Sequence, residues 1–405
     1  MTLPVPPSLP APGAVVPASD AGVPASTSAG PPSAPAPAAA ASSASGGASS
    51  AVVSSAAVSL VTDRAYGDVR TPLSTLLDGA LDAGGRLLDV LLGAEPVDQR
   101  DRFLTLLHVY DLHTASLDVV GDRARHQGHP VVAEIKDRLE RAWLDELERD
   151  WADAGALDEA VGVDRVVSAM RAVAAKDRLP HAYRWLARDA SWDELVDFLA
   201  LEGGPDGGFD DLVAVCQVGL SGSAKLELGK NYWDEMGQGD ADGVHTVLHQ
   251  RLSAAIRMPH VPREAMPVEA LERAALGGLL STNRWLQPEM LGALGLLELQ
   301  AGPRCRLVLQ GFDRLGAPAD AYPFYVEHAE VDPIHGRDWM DKAIVPTVAE
   351  KPTWGPRIVK GAWWRSTVNL RFFEAVRRDL VRRTEQQAGA ADSPTDEGVT
   401  SGVAA

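Results

Sequence analysis

The sequence predicts an all-α protein, and three observations carry that prediction. From about 65 to 385, apolar residues recur at three- and four-residue steps, the period of an amphipathic helix. No stretch shows the strict apolar–polar alternation of a half-buried strand. The punctuation is helical as well, with Pro at helix starts and Gly-rich or Gly-Gly-Pro runs at the stops.

Residues 1–60 are almost entirely Ala, Pro, Ser, Gly and Val, with Asp20 the only charged side chain. Such a segment cannot bury enough apolar surface to offset its ordering entropy, so a disordered arm is expected. It lacks the basic start of a signal peptide, and the first Arg is Arg64. An N-terminal helical region follows over 61–160. It includes Thr71-Pro-Leu-Ser-Thr-Leu-Leu, Arg102-Phe-Leu-Thr-Leu-Leu-His-Val-Tyr and the run from Val131 to Leu144. His108, His113, His126 and His129 lie here without a carboxylate at convincing helical spacing, apart from the Asp111–His113 neighbourhood, which faces two ways. They read as structural or exposed.

A second helical block spans 161–385. Ser191 followed by Glu194 is a capping box, and Gly203-Gly204-Pro205 is a stop. One helix is expected from Phe209 to Glu235, with Gly219, Gly222 and Gly229 inside it. Met236 to Gly243 is a turn, and Val244 to Ile256 resumes as helix through His245 and His249. Pro267 starts another helix to about Leu280, and Glu289 to about Phe312 forms a long, mostly apolar one. The Trp363–Phe373 segment reads as core, and 386–405 as a second disordered tail.

The net charge of -18 argues against a nucleic-acid or anionic-membrane binder, which needs clustered Lys and Arg. No apolar run approaches membrane-span length. Cys216 and Cys305 are the only thiols, too few for a disulfide framework or a Cys-rich metal site. A reducing, cytoplasmic setting is the default for such a chain.

The chemistry centres on Tyr325-Val-Glu-His-Ala-Glu-Val-Asp-Pro-Ile-His335. His328, Asp332 and His335 stand at offsets 0, +4 and +7, within an arc of roughly 60° on one helix face. Two imidazoles and a carboxylate so placed suit iron or manganese with open positions. Pro333 is expected to kink the helix or start a new turn. Glu298 is a lone acid inside an apolar helix, where charge is rarely buried unless paired or metal-bound; pairing with Arg304 or Arg306, or exposure to solvent, is the alternative. Glu235 ends one helix and His245 opens the next. Three carboxylates and three imidazoles form a sensible ligand supply for two iron ions.

The order and spacing of Trp233-Asp-Glu-Met-Gly-Gln-Gly-Asp-Ala-Asp-Gly-Val-His245, Glu298 and His328-Ala-Glu-Val-Asp-Pro-Ile-His335 resemble the haem-oxygenase-like diiron oxidases and oxygenases, also called iron-containing redox enzymes. The resemblance covers about 190 to 385. It implies a haem-oxygenase-like helical bundle extended by the N-terminal helical region. It also implies Glu235, His245, Glu298, His328, Asp332 and His335 as metal ligands. Glu202 is a further candidate, with Asp206 and Asp210 behind it. Glu227 lies about 80° around the helix from Glu235, too far for both to reach one metal pair, and His249 is a candidate neighbour to the ligands. The implied cofactor is two Fe(II)/Fe(III) ions per chain with dioxygen as co-substrate. The implied activity is oxidation of a small organic molecule such as an amine, an amino acid or a fatty acid. Tyr232, Trp233, Trp285, Tyr322 and Phe324 are expected to line a substrate channel. An external electron donor and a second copy of the chain are candidate partners. The ferritin pattern fits less well, because neither Glu235 nor Glu298 has His three residues later. A metal-free helical enzyme of the same fold and a helical scaffold protein remain the alternatives.

Overall fold

A computed structural model describes residues 71–155, 162–176, 178–203 and 208–391. The expected arm over 1–60, the Gly204-Pro205 stop, Asp206 and the tail from 392 lie outside the described residues. Within them the protein is all-helical, with no strand. The helices are α1 (Leu73–Asp82), α2 (Gln99–Thr114), α3 (Leu117–Val120), α4 (Pro130–Asp153), α5 (Val163–Lys176), α6 (His181–Arg188), α7 (Trp192–Gly203) and α8 (Phe209–Cys216). They continue with α9 (Gly222–Glu235), α10 (His245–Ala255), α11 (Val268–Thr282), α12 (Gln287–Leu315), α13 (Tyr322–Asp338), α14 (Val345–Glu350) and α15 (Gly355–Ala391).

Local chemistry sets the boundaries. Asp98 caps α2 through the Asp101 amide at 2.8 Å. His129 caps α4, whose first residue is Pro130. The Ser191–Glu194 capping box forms: the Ser191 amide donates to Glu194 at 2.8 Å, and the Glu194 amide donates to Ser191 Oγ at 3.3 Å. Two expectations are corrected. The helix from Phe209 to Glu235 is two helices, because Gly219 between them and Gly222 at the start of α9 take positive φ (83° and 61°). The last helix runs to Ala391 rather than ending near 386. The segment Glu385-Gln-Gln-Ala-Gly-Ala-Ala holds mostly good helix formers, and Pro394 lies beyond it.

The long helix α12 is the centre of the bundle, with α13, α15 and α6 against it. Glycines permit the close crossings. A Cβ on Gly336 of α13 would lie 2.8 Å from the Glu298 carbonyl oxygen and 2.9 Å from Leu299 Cα. On the α15 side, Gly292 faces the Ile358 backbone and Gly361 faces the Glu289 backbone. Trp363 is half-buried, while Trp364, Phe372 and Phe373 are fully buried in the core, as expected. The N-terminal helices pack onto the rest through α2 and α11, and the Tyr110 hydroxyl, Lys136 and Asn283 meet around Glu140.

Pro333 neither ends α13 nor starts a new turn; the helix continues through it to Asp338. The proline removes the amide that would have bonded the Ala329 carbonyl one turn back. Arg306 of α12 supplies a donor instead, with Nη1 2.7 Å from Ala329 O, and Gly302 makes room for the Pro333 ring. Arg306→Met keeps side-chain length and removes that donor. Chemical denaturation of the metal-free variant should show a loss of about 1 kcal/mol. After α13, a π-helical turn over Trp339–Ile344 adds a residue to the helical register and presses against α9.

Candidate metal centre

The site forms where α9, α10, α12 and α13 converge. Glu235 is the last residue of α9 and His245 the first of α10. The intervening loop folds tightly back: Gly237 has φ 60°, and a Cβ there would sit 2.5 Å from the Gly243 carbonyl carbon. This return puts His245 Nδ1 2.6 Å from Glu235 Oε2. The pair lacks the alignment of a hydrogen bond, and His245 Nδ1 has no hydrogen-bond partner among the described residues. Two donor atoms this close but misaligned suit a shared point beyond both.

His328 reaches the pair from α13, its ring centre 4.5 Å from that of His245. Its Nδ1 lies 2.6 Å from the Phe324 carbonyl one turn back. A carbonyl only accepts, so Nδ1 carries the proton and Nε2 is left with its lone pair. His335 is held the opposite way round. Its Nε2 lies 3.0 Å from Asp234 Oδ2, while Nδ1 lies 3.6 Å from Glu298 Oε2 and 3.8 Å from Asp332 Oδ1. Glu298 points inward, not to solvent, and its Oε1 accepts from Asn231 Nδ2 at 2.7 Å. Arg306 is spent on the Ala329 carbonyl, and Arg304 donates to Gln300.

Two groups of three can each surround an ion: Glu235, His245 and His328, and Glu235, Glu298 and His335. In each, the ligand atoms lie within 4.8 Å of one another. Glu235 belongs to both. Asp332 is buried beside the second group, and its Oδ2 has no hydrogen-bond partner among the described residues.

The electrostatics follow from this crowding. Burial lowers the His335 pKa, but Glu298 and Asp234 outweigh it and raise the group to about 9. Burial and then the neighbouring His245 lower His328 to about 4. Burial also opposes the charge on His245, yet Glu235 leaves its pKa raised. Burial, then Glu298 and Glu235, push the Asp332 carboxyl well above the usual range. Unpartnered nitrogen and oxygen atoms, packed carboxylates and a mixed nitrogen–oxygen donor set fit a divalent cation such as iron.

These shifts set a pH dependence for the metal-free protein. Protonated His335 contributes stability that is fully present below its unfolded value near 6.5 and is lost as pH rises through about 9. Raised Asp332 acts in the same direction. The melting temperature of iron-free protein should therefore fall between pH 6.5 and 9.5, by an amount worth about 3 kcal/mol in unfolding free energy. Bound metal should flatten that fall.

Glu202 stands outside both groups. Its side chain accepts from the Tyr183 hydroxyl, and its carbonyl accepts from Arg273 at 2.6 Å. Asp210 sits in the first turn of α8, also outside them. Glu227 is buried two turns below Glu235 and 3.8 Å from Lys342. His249 packs its ring on Phe324 at 5.2 Å, and burial lowers its pKa. Among the expected channel residues, Phe324 stacks on His328 at 4.3 Å and Tyr232 is half-buried. Tyr322 donates to Asp313. Trp233 and Trp285 are corrected to surface positions, 53% and 60% exposed; Trp233 lies over Gly239 rather than facing inward. His129 caps a helix and His126 packs on Gly85, in keeping with structural roles. Asp111 pairs with Arg263. Asn231 and Asp234 were not expected at the site. Their signal is position alone: one turn before, and immediately before, Glu235.

A buried cluster of imidazoles and carboxylates inside a helical bundle is consistent with a metal site. Residues 197–369 match the family model described as iron-containing redox enzyme. The match contains all six residues of the cluster. No curated protein matches the chain. No helix among the described residues is long and apolar enough to cross a membrane.

Proposed function

We propose that the chain is a non-haem diiron oxidase or oxygenase that uses dioxygen to oxidise a small organic substrate. The observation that carries the proposal is the pair of three-residue groups sharing Glu235. Glu235 would reach both ions. His245 and His328 Nε2 would hold one, and Glu298 and His335 Nδ1 the other, with Asp332 beside the latter. When bound, iron supplies the electrons for dioxygen activation. The protein's own part is positional. Asp234 fixes the His335 ring, and the Phe324 carbonyl fixes that of His328. Asn231 fixes Glu298, and the Phe324 ring shields one face of His328 from water. Substrate choice among amines, amino acids and fatty acids, and the external electron donor, belong to this proposal as open classes. Unpartnered ligand atoms weigh against a metal-free enzyme of the same fold.

The test is anaerobic reconstitution with ferrous iron, followed by metal analysis and oxygen uptake. Two iron ions per chain with rapid oxygen uptake, lost in His328→Ala, are expected. Protein that binds no iron, or whose oxygen uptake is untouched by that change, overturns the proposal.

A further inference from the structure

A column of polar side chains runs down the inner face of α9, away from the candidate metal centre. Glu235, Asn231 and Glu227 stand at successive four-residue steps, each about 40° further round the helix. All three are buried: Asn231 is 1% exposed and Glu227 5%. Burial of this kind calls for partners. Asn231 Nδ2 donates to Glu298 Oε1 at 2.7 Å, but Asn231 Oδ1 has no hydrogen-bond partner among the described residues.

The lower end of the column reaches the surface. The π-helical turn after α13 carries Lys342, half exposed, to 3.8 Å from Glu227 Oε2 and 2.7 Å from Asp338 Oδ2. Lys230 of α9 lies 3.4 Å from the same Asp338 oxygen. Glu227 is thus a buried carboxylate with one side toward the candidate metal centre and the other toward a charged, solvent-exposed mouth. Nothing in the proposed iron chemistry uses it.

We propose that Glu227 is a proton-transfer residue linking the candidate metal centre to solvent at Lys342 and Asp338, with Asn231 as the positioning residue between them. The inference rests on the reading of the cluster as an iron site. Imidazole and carboxylate ligands shed protons when metal binds, and the cluster is largely closed to solvent. A water accepting nothing from Asn231 but donating to its Oδ1 carries the proton across the helical turn. The bond to the proton shed by the ligand breaks as one forms on that water's oxygen, and an O–H bond of the same water breaks as one forms on the Glu227 carboxylate, so the carrier ends as neutral water. Glu227 then releases the proton to water at the mouth and returns to the anion facing the Lys342 ammonium. No electron moves and no group is consumed. Asn231 cannot titrate; its part is to hold Glu298 with one end of the amide and the carrier with the other.

The experiment is anaerobic stopped-flow mixing of the full chain with ferrous iron, with a pH-indicator dye reporting proton appearance and metal analysis reporting iron per chain. In the wild-type protein, proton appearance should keep pace with iron binding. Glu227→Gln keeps the shape and should keep the iron content, while proton appearance lags on the order of tenfold or more. A small carboxylic acid added to the buffer should remove the lag, which a purely structural defect would not allow. Lys342→Met, with a thermal melt confirming that the variant is folded, should slow release as well. Iron uptake with proton appearance still in step in both variants overturns the relay alone. A wild-type protein that takes up no iron overturns the relay together with the iron-site reading.

Discussion

Glu235→Ala is expected to abolish iron binding at both positions, whereas His328→Ala and His335→Ala should each abolish it at one. The asymmetry follows from geometry. Glu235 is the one residue common to the two groups, while His328 and His335 each belong to a single group. Its loss also leaves His245 Nδ1 without the oxygen 2.6 Å away that helps define the shared point. Metal analysis after anaerobic loading should give background iron for the Glu235 variant and roughly half the wild-type content for each His variant. Equal losses in all three would mean that the two groups fill only as a unit. Wild-type content in Glu235→Ala would remove the basis for a shared ligand.

The second large effect is expected at a residue that offers no ligand atom but packs between two that do. Gly336→Val places a Cβ 2.8 Å from the Glu298 carbonyl oxygen and 2.9 Å from Leu299 Cα. These are backbone atoms in the middle of α12, and neither can swing aside. The helices must part, with a loss of about 3 kcal/mol or more in stability. Because Glu298 is one neighbour and His335 the other, iron binding at the second group should weaken even where the protein stays folded. Gly79→Ala in α1 is the control: nothing lies within 4 Å of its added Cβ, so it should be neutral or slightly stabilising by about 0.5–1 kcal/mol. Thermal melts of the two variants, with iron content alongside, separate a crossing effect from a general cost of replacing glycine.

What was legible in the sequence is what periodicity and capping write into neighbouring residues. His328, Asp332 and His335 share a helix face by spacing alone, and all three line the same cluster. Glu298 stood out because an acid in an apolar run needs a reason, and the reason proves to be Asn231 and His335 rather than Arg306. Glu235 and His245 drew meaning from their order around a Gly-rich turn and from the family resemblance. The break between α8 and α9 was missed because glycine inside a helical pattern is ambiguous between close packing and a stop; positive φ at Gly219 and Gly222 decides for a stop. Asn231 and Asp234 left no trace because their roles depend on residues 67 and 101 positions away. Glu289 makes the same point. It is fully buried beside Arg357, 68 residues distant, and no local pattern joins the two. The π-helical turn was equally silent: its Trp339 fits against Gly295 and donates to the Leu291 carbonyl, contacts more than 40 residues away in sequence.

Pro333 gives the site one soft dimension. It stands between His328 and His335, each on its own side of a rung that the helix lacks. Bending at such a gap costs less than bending an intact helix. The Arg306 contact that replaces the rung is a side chain, able to lengthen or tilt without unwinding anything. Across the bundle the opposite holds, since Gly336 rests backbone to backbone on α12. Separation between the two halves of the site can therefore breathe along α13 while its depth against Glu298 stays fixed, much as calipers open along one arm only. If the proposed two-ion reading holds, a frame that yields along α13 and is stiff where Gly336 meets Glu298 would let the spacing between the ions adjust without moving either away from Glu298.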